Sequence, residues 1–277
     1  MKIELIFVCY NRLAYTKLSL ASLLTDPADE FSLTIWDNAS TDGTQDYLST
    51  LEDPRITRKV YSRKNVFMRG AAEECFDKSS ADVVGVLGND FLFTPGWTKI
   101  LAQAHADVPE FGQISCWHLG PEYFDEARAR HKIQSFGTHQ VLRHPWTDGT
   151  GIVKLKTVRD YGVEGIGGTT YGLRLAREGY VNGFYFPLIY AEHMDYPWSD
   201  HYAYPGRLEE GIEKSVTYKK RGIRTIEDAK AWHQVVVRNI LDDPWEVKYY
   251  LGWRKKLKGI RRRVNRILGR SQDWQGN

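Results

Sequence analysis

Three short polar segments each follow an apolar run, and each carries side chains suited to a phosphorylated ligand. Gly88-Asn89-Asp90 comes after the Val-rich run Ala81–Leu87. It places a carboxylate where an apolar strand ends, and a hard cation can bridge such a carboxylate to phosphate oxygens. Cys9-Tyr10-Asn11-Arg12 follows Ile3–Cys9 and supplies a guanidinium for anionic oxygens. Asp37-Asn38 opens the polar turn that runs on to Gly43, after the run Phe31–Trp36. A fourth polar stretch, Arg63–Gly70, follows Ile56–Tyr61. A lone Asp at the end of a strand is commonly a turn former, so the argument rests on the set and its order.

The elements that must position these segments follow from the spacing of apolar residues. Strands are predicted over Ile3–Cys9, Phe31–Trp36, Ile56–Tyr61 and Ala81–Leu87. Helices are predicted between them, with Ala14, Leu18, Ala21 and Leu24 at helical spacing, then Thr44–Leu51 and Met68–Lys78. Asp42, with Gln45 three residues on, is expected to cap the helix Thr44–Leu51. Such an alternation predicts an α/β protein with an open, mostly parallel sheet flanked by helices. In sheets of this kind ligands sit outside the carboxyl ends of the strands, where the four polar segments lie. The second half is less regular. Phe111–His118, Ile152–Lys156 and Phe184–Tyr190 read as strands, Tyr171–Gly179 as a helix, and Gly120–Trp146 as an irregular excursion. Helices are then expected over Leu208–Arg221, Ile226–Leu241 and Trp245–Leu268.

Taken together, Val8-Cys9-Tyr10-Asn11-Arg12, Trp36-Asp37-Asn38-Ala39-Ser40-Thr41-Asp42-Gly43-Thr44 and Leu87-Gly88-Asn89-Asp90 resemble family 2 glycosyltransferases with the GT-A fold. The resemblance is strong over residues 1–100 and looser over 150–195. It implies a GT-A catalytic domain over 1–206, with a nucleotide-binding half (1–110) and an acceptor half (111–206). Residues 207–277 are expected to form a helical C-terminal extension. It also implies a nucleoside-diphosphate sugar as donor, a divalent metal (Mn2+ or Mg2+), and a glycan or lipid-linked glycan as acceptor, in polysaccharide biosynthesis. By the same resemblance Cys9, Tyr10 and Asn11 would contact the base, and Arg12 the ribose or phosphates. Asp37 would hold base or ribose, and Asn38 would shape that turn. Asn65 and Gly70 would line the loop against which the nucleotide packs, where Phe67 replaces a common glycine. Asn89-Asp90 would be the metal-binding acidic motif, with Asp90 as the ligand.

The base of an inverting transfer is where the pattern departs. Relatives carry an acidic pair just before the helix that begins here near Tyr171, but this chain has Gly167-Gly168-Thr169-Thr170. A base is needed to take the proton of the attacking hydroxyl, and threonine does not serve. Glu164 on the same loop is one candidate, and Asp195 or His193 another. A retaining enzyme would need none, nor would a degenerate one kept as a nucleotide- or glycan-binding protein. His193 is also open to a role as second metal ligand opposite Asp90, or to a structural one. Asp148, Asp160 and Asp200 have no spacing that singles them out.

Composition narrows the classes. The 277 residues are 42% hydrophobic and 26% charged, as expected of a folded chain. Three scattered cysteines, Cys9, Cys75 and Cys116, fit reduced thiols in the cytoplasm. No stretch approaches the roughly 20 apolar residues of a spanning helix. A dinucleotide oxidoreductase would need a glycine-rich turn where Tyr10-Asn11-Arg12 stands. The net charge is +3, yet nine of the 38 Lys/Arg fall between Trp253 and Arg270, leaving 29 basic against 35 acidic residues elsewhere. There Trp253, Leu257, Ile260, Val264 and Ile267 recur at helical spacing. Such a basic amphipathic helix reads as peripheral on an anionic membrane surface, or as a helix packing its stripe on the protein. Nucleic acid is not expected, since no recognisable motif accompanies the charge.

Overall fold

The run Ile3–Cys9 forms strand β1, and its alternate side chains go to opposite faces of one sheet, as the pleat requires. Leu5 and Phe7 join one buried cluster with Leu20, Leu33, Ile35 and Leu101. Ile6 and Val8 join the other, with Ala71, Val84, Val86 and Leu175. Burial on both faces explains why these strands read as continuous apolar runs rather than alternating ones. Each fully buried Leu or Ile contributes about 1.5–3 kcal/mol, so the two clusters hold the sheet from both sides.

The computed structural model describes residues 1–202, 211 and 215–268. They fall into two compact units, Met1–His118 with Ile133–His193, and Leu119–Lys132 with the segment from Met194 onward. In the first unit the strands are β1, β2 (Ser32–Asp37), β3 (Ile56–Tyr61), β4 (Val83–Gly88), β5 (Phe91–Phe93), β6 (Phe111–Ser115), β7 (Ile133–Phe136), β8 (His139–Arg143), β9 (Gly151–Lys154), β10 (Val181–Phe186) and β11 (Ala191–His193). Nine form one sheet in the order β3-β2-β1-β4-β9-β6-β10-β8-β7. Only β9 and β8 run against the common direction, since each is antiparallel to both its neighbours while the other pairings are parallel. Helices Leu13–Leu23 and Trp97–Asp107 cover one face; Phe67–Phe76, Leu155–Tyr161 and Thr169–Arg177 cover the other. The outcome is the expected α/β sheet, mostly parallel and flanked by helices.

Some local expectations change. The stretch read as an excursion contains the hairpin β7–β8, which extends the sheet from β10. Its strands are rich in polar side chains at the sheet edge, and that hid them. Asp42 stands one residue before the N-cap Gly43, and its Oδ1 accepts from the Thr44 amide at 3.2 Å and hydroxyl at 2.6 Å, but Gln45 does not complete a box with it and turns to Asp37 at 2.7 Å.

In the second unit, helix Ile226–Asp242 begins with a capping box from Thr225 and Asp228. The buried Lys132 amine donates to the carbonyls of Ile240 and Asp243 at its far end, the latter at 2.7 Å. Helix Val216–Arg221 matches the end of the expected Leu208–Arg221, most of which lies outside the described residues. The expected Trp245–Leu268 is two helices, Val247–Leu251 and Trp253–Ile267, parted at Gly252. Buried Asp243 accepts hydrogen bonds from Lys255 and Lys258 of the last helix and from Tyr249 at 3.0 Å. Burial pushes its carboxyl up, and the two lysines outweigh that and leave it below the usual range. The apolar stripe of that helix faces outward: Trp253 is 66% exposed, Ile260 57% and Leu257 48%. Gly269 and Arg270, the end of the expected basic segment, lie outside the described residues.

Candidate active site

The carboxyl ends of β1, β2 and β4 meet through a hydrogen-bonded lattice built from the predicted residues. Asn89 donates from Nδ2 to the Asn11 carbonyl at 3.0 Å and to Thr16 Oγ1 at 2.9 Å. The Asn11 amide donates to Ser40 Oγ at 2.7 Å, while Asn11 Oδ1 accepts from the Thr41 amide at 2.8 Å. Asn38 Oδ1 accepts from Trp36 Nε1 and from the Val66 amide, both at 3.1 Å, drawing the loop after β3 to the turn after β2. Asn65 Oδ1 accepts from the Phe67 amide at 2.8 Å. Asparagine, with acceptor and donors on a short stem, is suited to such turn-to-turn ties.

Backbone strain concentrates in the same place. Asn11, Arg12, Ala39 and Phe67 all have positive φ, between 54° and 65°. This conformation is uncommon outside glycine and is held by surrounding contacts. At Phe67 it accounts for the glycine of the resembled pattern: the backbone keeps the left-handed turn although the residue has changed. Phe67 itself is 73% exposed.

The predicted residues divide into those that build the turns and those that face outward. Asp37 is fully buried; its Oδ2 accepts from the Ser40 amide at 3.0 Å and from Gln45, so its carboxylate fixes the turn. Cys9, Asn38 and Asn89 are buried as well. Burial, then the nearby Asp37 charge, pushes the Cys9 thiol up, leaving it un-ionised. Tyr10 is exposed, and Arg12 and Asp90 are partly so, with Arg12 Nη1 3.6 Å from Asp90 Oδ2. A Cβ on Gly88 would lie 2.8 Å from Asp90 Oδ1 and would shift that carboxylate. Gly70, at the start of helix Phe67–Phe76, would likewise crowd Val66.

His193 comes to this edge by a pairing remote in sequence. β11 runs antiparallel to β5, setting His193 opposite Phe91, the residue after Asp90. The two rings meet edge to face at 4.6 Å. Asp90 and His193 therefore flank one short strand pair. Among the described residues no group of three His, Cys, Asp or Glu is placed to hold a metal. A carboxylate and an imidazole are both donors that a divalent ion accepts, so Asp90 and His193 would supply two ligands of such an ion.

The candidate bases part company. Glu164 is 76% exposed and lies 3.4 Å from Arg69 on the helix Phe67–Phe76. Asp195 belongs to the second compact unit. Thr169 and Thr170 open the helix Thr169–Arg177.

Two residues outside the predicted set lie at the same edge. His118, buried just past the end of β6, has Nε2 3.4 Å from Asp148 Oδ2 and Nδ1 3.3 Å from Thr150 Oγ1. Its ring meets Phe91 edge to face at 5.9 Å, on the strand that also contacts His193. Burial pushes its pKa down to about 4, against the pull of Asp148. The imidazole is therefore neutral at pH 7. Asp148 has φ 55°, and its carboxylate is 49% exposed. The sequence offered little signal for this pair, whose members are 30 residues apart on different loops.

With the geometry in place, comparison with known proteins is direct. The model of glycosyl transferase family 2 matches residues 4–153. A search of curated proteins finds no match. Among solved structures, the mannosyltransferase PcManGT from Pyrobaculum calidifontis, in complex with GDP-Man and Mn2+, is 18% identical, with a TM-score of 0.53 over 95% of this chain and 80% of that one. TarS of S. aureus is 14% identical, with a TM-score of 0.54 over 95% of this chain and 53% of that one. These likenesses identify the fold as that of the GT-A glycosyltransferases. The chain belongs to glycosyl transferase family 2, a family of sugar-transferring enzymes.

Proposed function

We propose that this chain transfers a hexose from a nucleoside-diphosphate sugar to a hydroxyl of a glycan or lipid-linked glycan, with metal dependence and inversion. Residues 1–206 would carry the reaction and 207–277 would serve as a helical extension. The observation that carries the reading is the placement of Asp90, Arg12 and His193 at the carboxyl edge where the Asn11–Asn38–Asn89 lattice fixes the turns. The GDP-Man and Mn2+ bound by PcManGT support the donor class and the metal.

Asp90 and His193 would hold the cation, which when bound neutralises charge developing on the diphosphate. Arg12 would face the same anion, its partly exposed guanidinium lying 3.6 Å from Asp90 at the start of helix Leu13–Leu23. Tyr10 and Asn65 frame the base, while Cys9, Asp37, Asn38 and Asn89 hold the turns that they line. Gly70 leaves the loop after β3 close to its helix. Glu164 and Asp195 are the carboxylates that sequence nominates for the base.

The exposed stripe on Trp253–Ile267 supports a peripheral site on the inner face of a membrane, because Arg254, Lys256 and Arg261 flank it and are exposed. An apolar face beside basic side chains is attracted to anionic lipid. No helix among the described residues is long and apolar enough to cross a membrane. Thr169-Thr170 favours a second reading, a degenerate transferase that binds nucleotide or glycan without turnover.

Calorimetric titration of UDP, GDP and dTDP, with and without Mn2+, tests the assignment on wild type and Asp90→Asn. One nucleotide should bind in a Mn2+-dependent manner, with affinity at least about tenfold lower in the variant. Folded protein that binds none of the three would sink the reading; binding without transfer would favour the degenerate alternative.

A further inference from the structure

Thr169 and Thr170 leave the expected place for a base empty of carboxylate, but the loop in front of them is tied to another carboxylate. The amides of Thr147 and Asp148 both donate to the Gly167 carbonyl, each at 3.0 Å. Gly167 has φ 87°, and a Cβ there would fall 2.7 Å from the carbonyl carbon and oxygen of Asp148. Its own amide donates to Gln113 Oε1 at 2.8 Å. The segment that lost the acidic pair is thus packed directly on Asp148.

Asp148 also stands on the ligand edge. It precedes β9, which runs antiparallel to β4, so the start of β9 lies beside the end of β4 that leads to Asp90. A Cβ on Gly151 would run into the Ile114 carbonyl and Ser115, and one on Gly85 would lie 2.9 Å from the Gly151 carbonyl oxygen, so β9 fits tightly between β6 and β4. His118 follows β6 at the same edge and shares the Phe91 ring with His193. His118 Nε2 lies 3.4 Å from Asp148 Oδ2, and its Nδ1 lies 3.3 Å from Thr150 Oγ1, whose hydroxyl donates to the Cys116 carbonyl at 3.1 Å. The histidine is enclosed and the carboxylate half open, so the carboxylate is the member that an incoming hydroxyl reaches.

We propose that Asp148 is the general base of this transferase, with His118 behind it as the residue that positions it. The assignment rests on the transferase reading above. In the step, the Asp148 carboxylate accepts the hydroxyl proton as the oxygen's electron pair bonds to the anomeric carbon. The bond from that carbon to the diphosphate oxygen breaks, and its pair leaves on the diphosphate. With water as acceptor, the products are free sugar and nucleoside diphosphate. Glu164, by contrast, is largely solvated and lies 3.4 Å from Arg69 on the helix Phe67–Phe76.

An aspartate at positive φ is also a common turn former, and the substitution Asp148→Asn separates the two roles. Asparagine serves the left-handed turn as well as aspartate but accepts no proton at neutral pH. Asp148→Gly suits the same φ and removes the group altogether, so it guards against a fault peculiar to the amide. The assay is nucleotide release from UDP-GlcNAc and from GDP-mannose with Mn2+ and water as acceptor, alongside calorimetric binding of UDP and GDP. Both variants should lose about 100-fold or more in turnover, with nucleotide affinity within about threefold of wild type. His118→Gln should lower kcat about tenfold with donor KM unchanged, and should cost nothing further in the Asp148→Asn background, since residues acting as a unit are not additive. Wild-type turnover in Asp148→Asn overturns the proposal, as does a parallel loss of nucleotide affinity. The same collapse of turnover in Glu164→Gln or Asp195→Asn, with Asp148→Asn active, gives the role to that carboxylate. If wild type binds nucleotide yet releases none from either donor, the transferase reading falls and this assignment with it.

Discussion

Phe67 shows how a single residue can carry a constraint that its type conceals. Its φ of 59° belongs to glycine, and its ring is mostly in solvent. A non-glycine residue held in this region stores about 1 kcal/mol or more. Phe67→Gly should therefore raise stability by about 0.5–1 kcal/mol in urea denaturation, chiefly by relieving that strain. A loss of stability would mean that the ring makes contacts worth more than the strain. Asn11 and Arg12 share the conformation, but their side chains are engaged with Thr41 and Asp90, so the same relief there would come with a damaged site. The type of Asp90 and its place after an apolar run were legible in the chain. The enclosure of Asp37 was not, because it depends on Gln45 turning back across the loop.

Elements were legible to the extent that their cause was local. Apolar runs buried on both faces announced β1, β2 and β4, β3 being a half-buried strand at the sheet edge, and the polar turns after them marked the ligand edge. The pairing of β5 with β11 could not be read, since it joins strands of three residues separated by nearly 100 positions. The hairpin β7–β8 was missed for a different reason: edge strands need no continuous apolar run. The last helix was expected from its spacing, but whether its stripe was covered depended on its neighbours. Its attachment through Lys255 and Lys258 to Asp243 leaves the stripe outward. Protein truncated after Gly252 should be retained on vesicles containing anionic phosphatidylserine at least about tenfold less than the full chain at low salt, and high salt should weaken the full chain's retention. Equal, negligible retention of both would exclude the membrane role.

At the scale of the whole molecule, two of the buried imidazoles among the described residues weigh on the response to acid. Burial pushes His105 down to about 3 and His118 down to about 4, from an ordinary value of 6.5. The folded protein refuses protons that the unfolded chain takes up below about pH 6.5, so stability is full above that pH and falls as the solution is acidified toward 4. At pH 5 each imidazole costs about 2 kcal/mol relative to pH 7. His105→Gln should flatten the decline between pH 7 and pH 5 by about that amount, whatever its effect at pH 7. Denaturant titrations at the two pH values measure this, and an unchanged slope would show that His105 is protonated in the folded state.

The sequence by itself determined the sheet, its ligand edge and the family, because these rest on short-range patterning and on motifs read along one strand and its turn. Tertiary structure decided which side chains share that edge. His193 reaches Phe91 only through strand pairing, and Asp148 meets His118 and Gly167 only because β9 runs between β4 and β6. Such meetings depend on which strands become neighbours, and no spacing within a single segment encodes that choice.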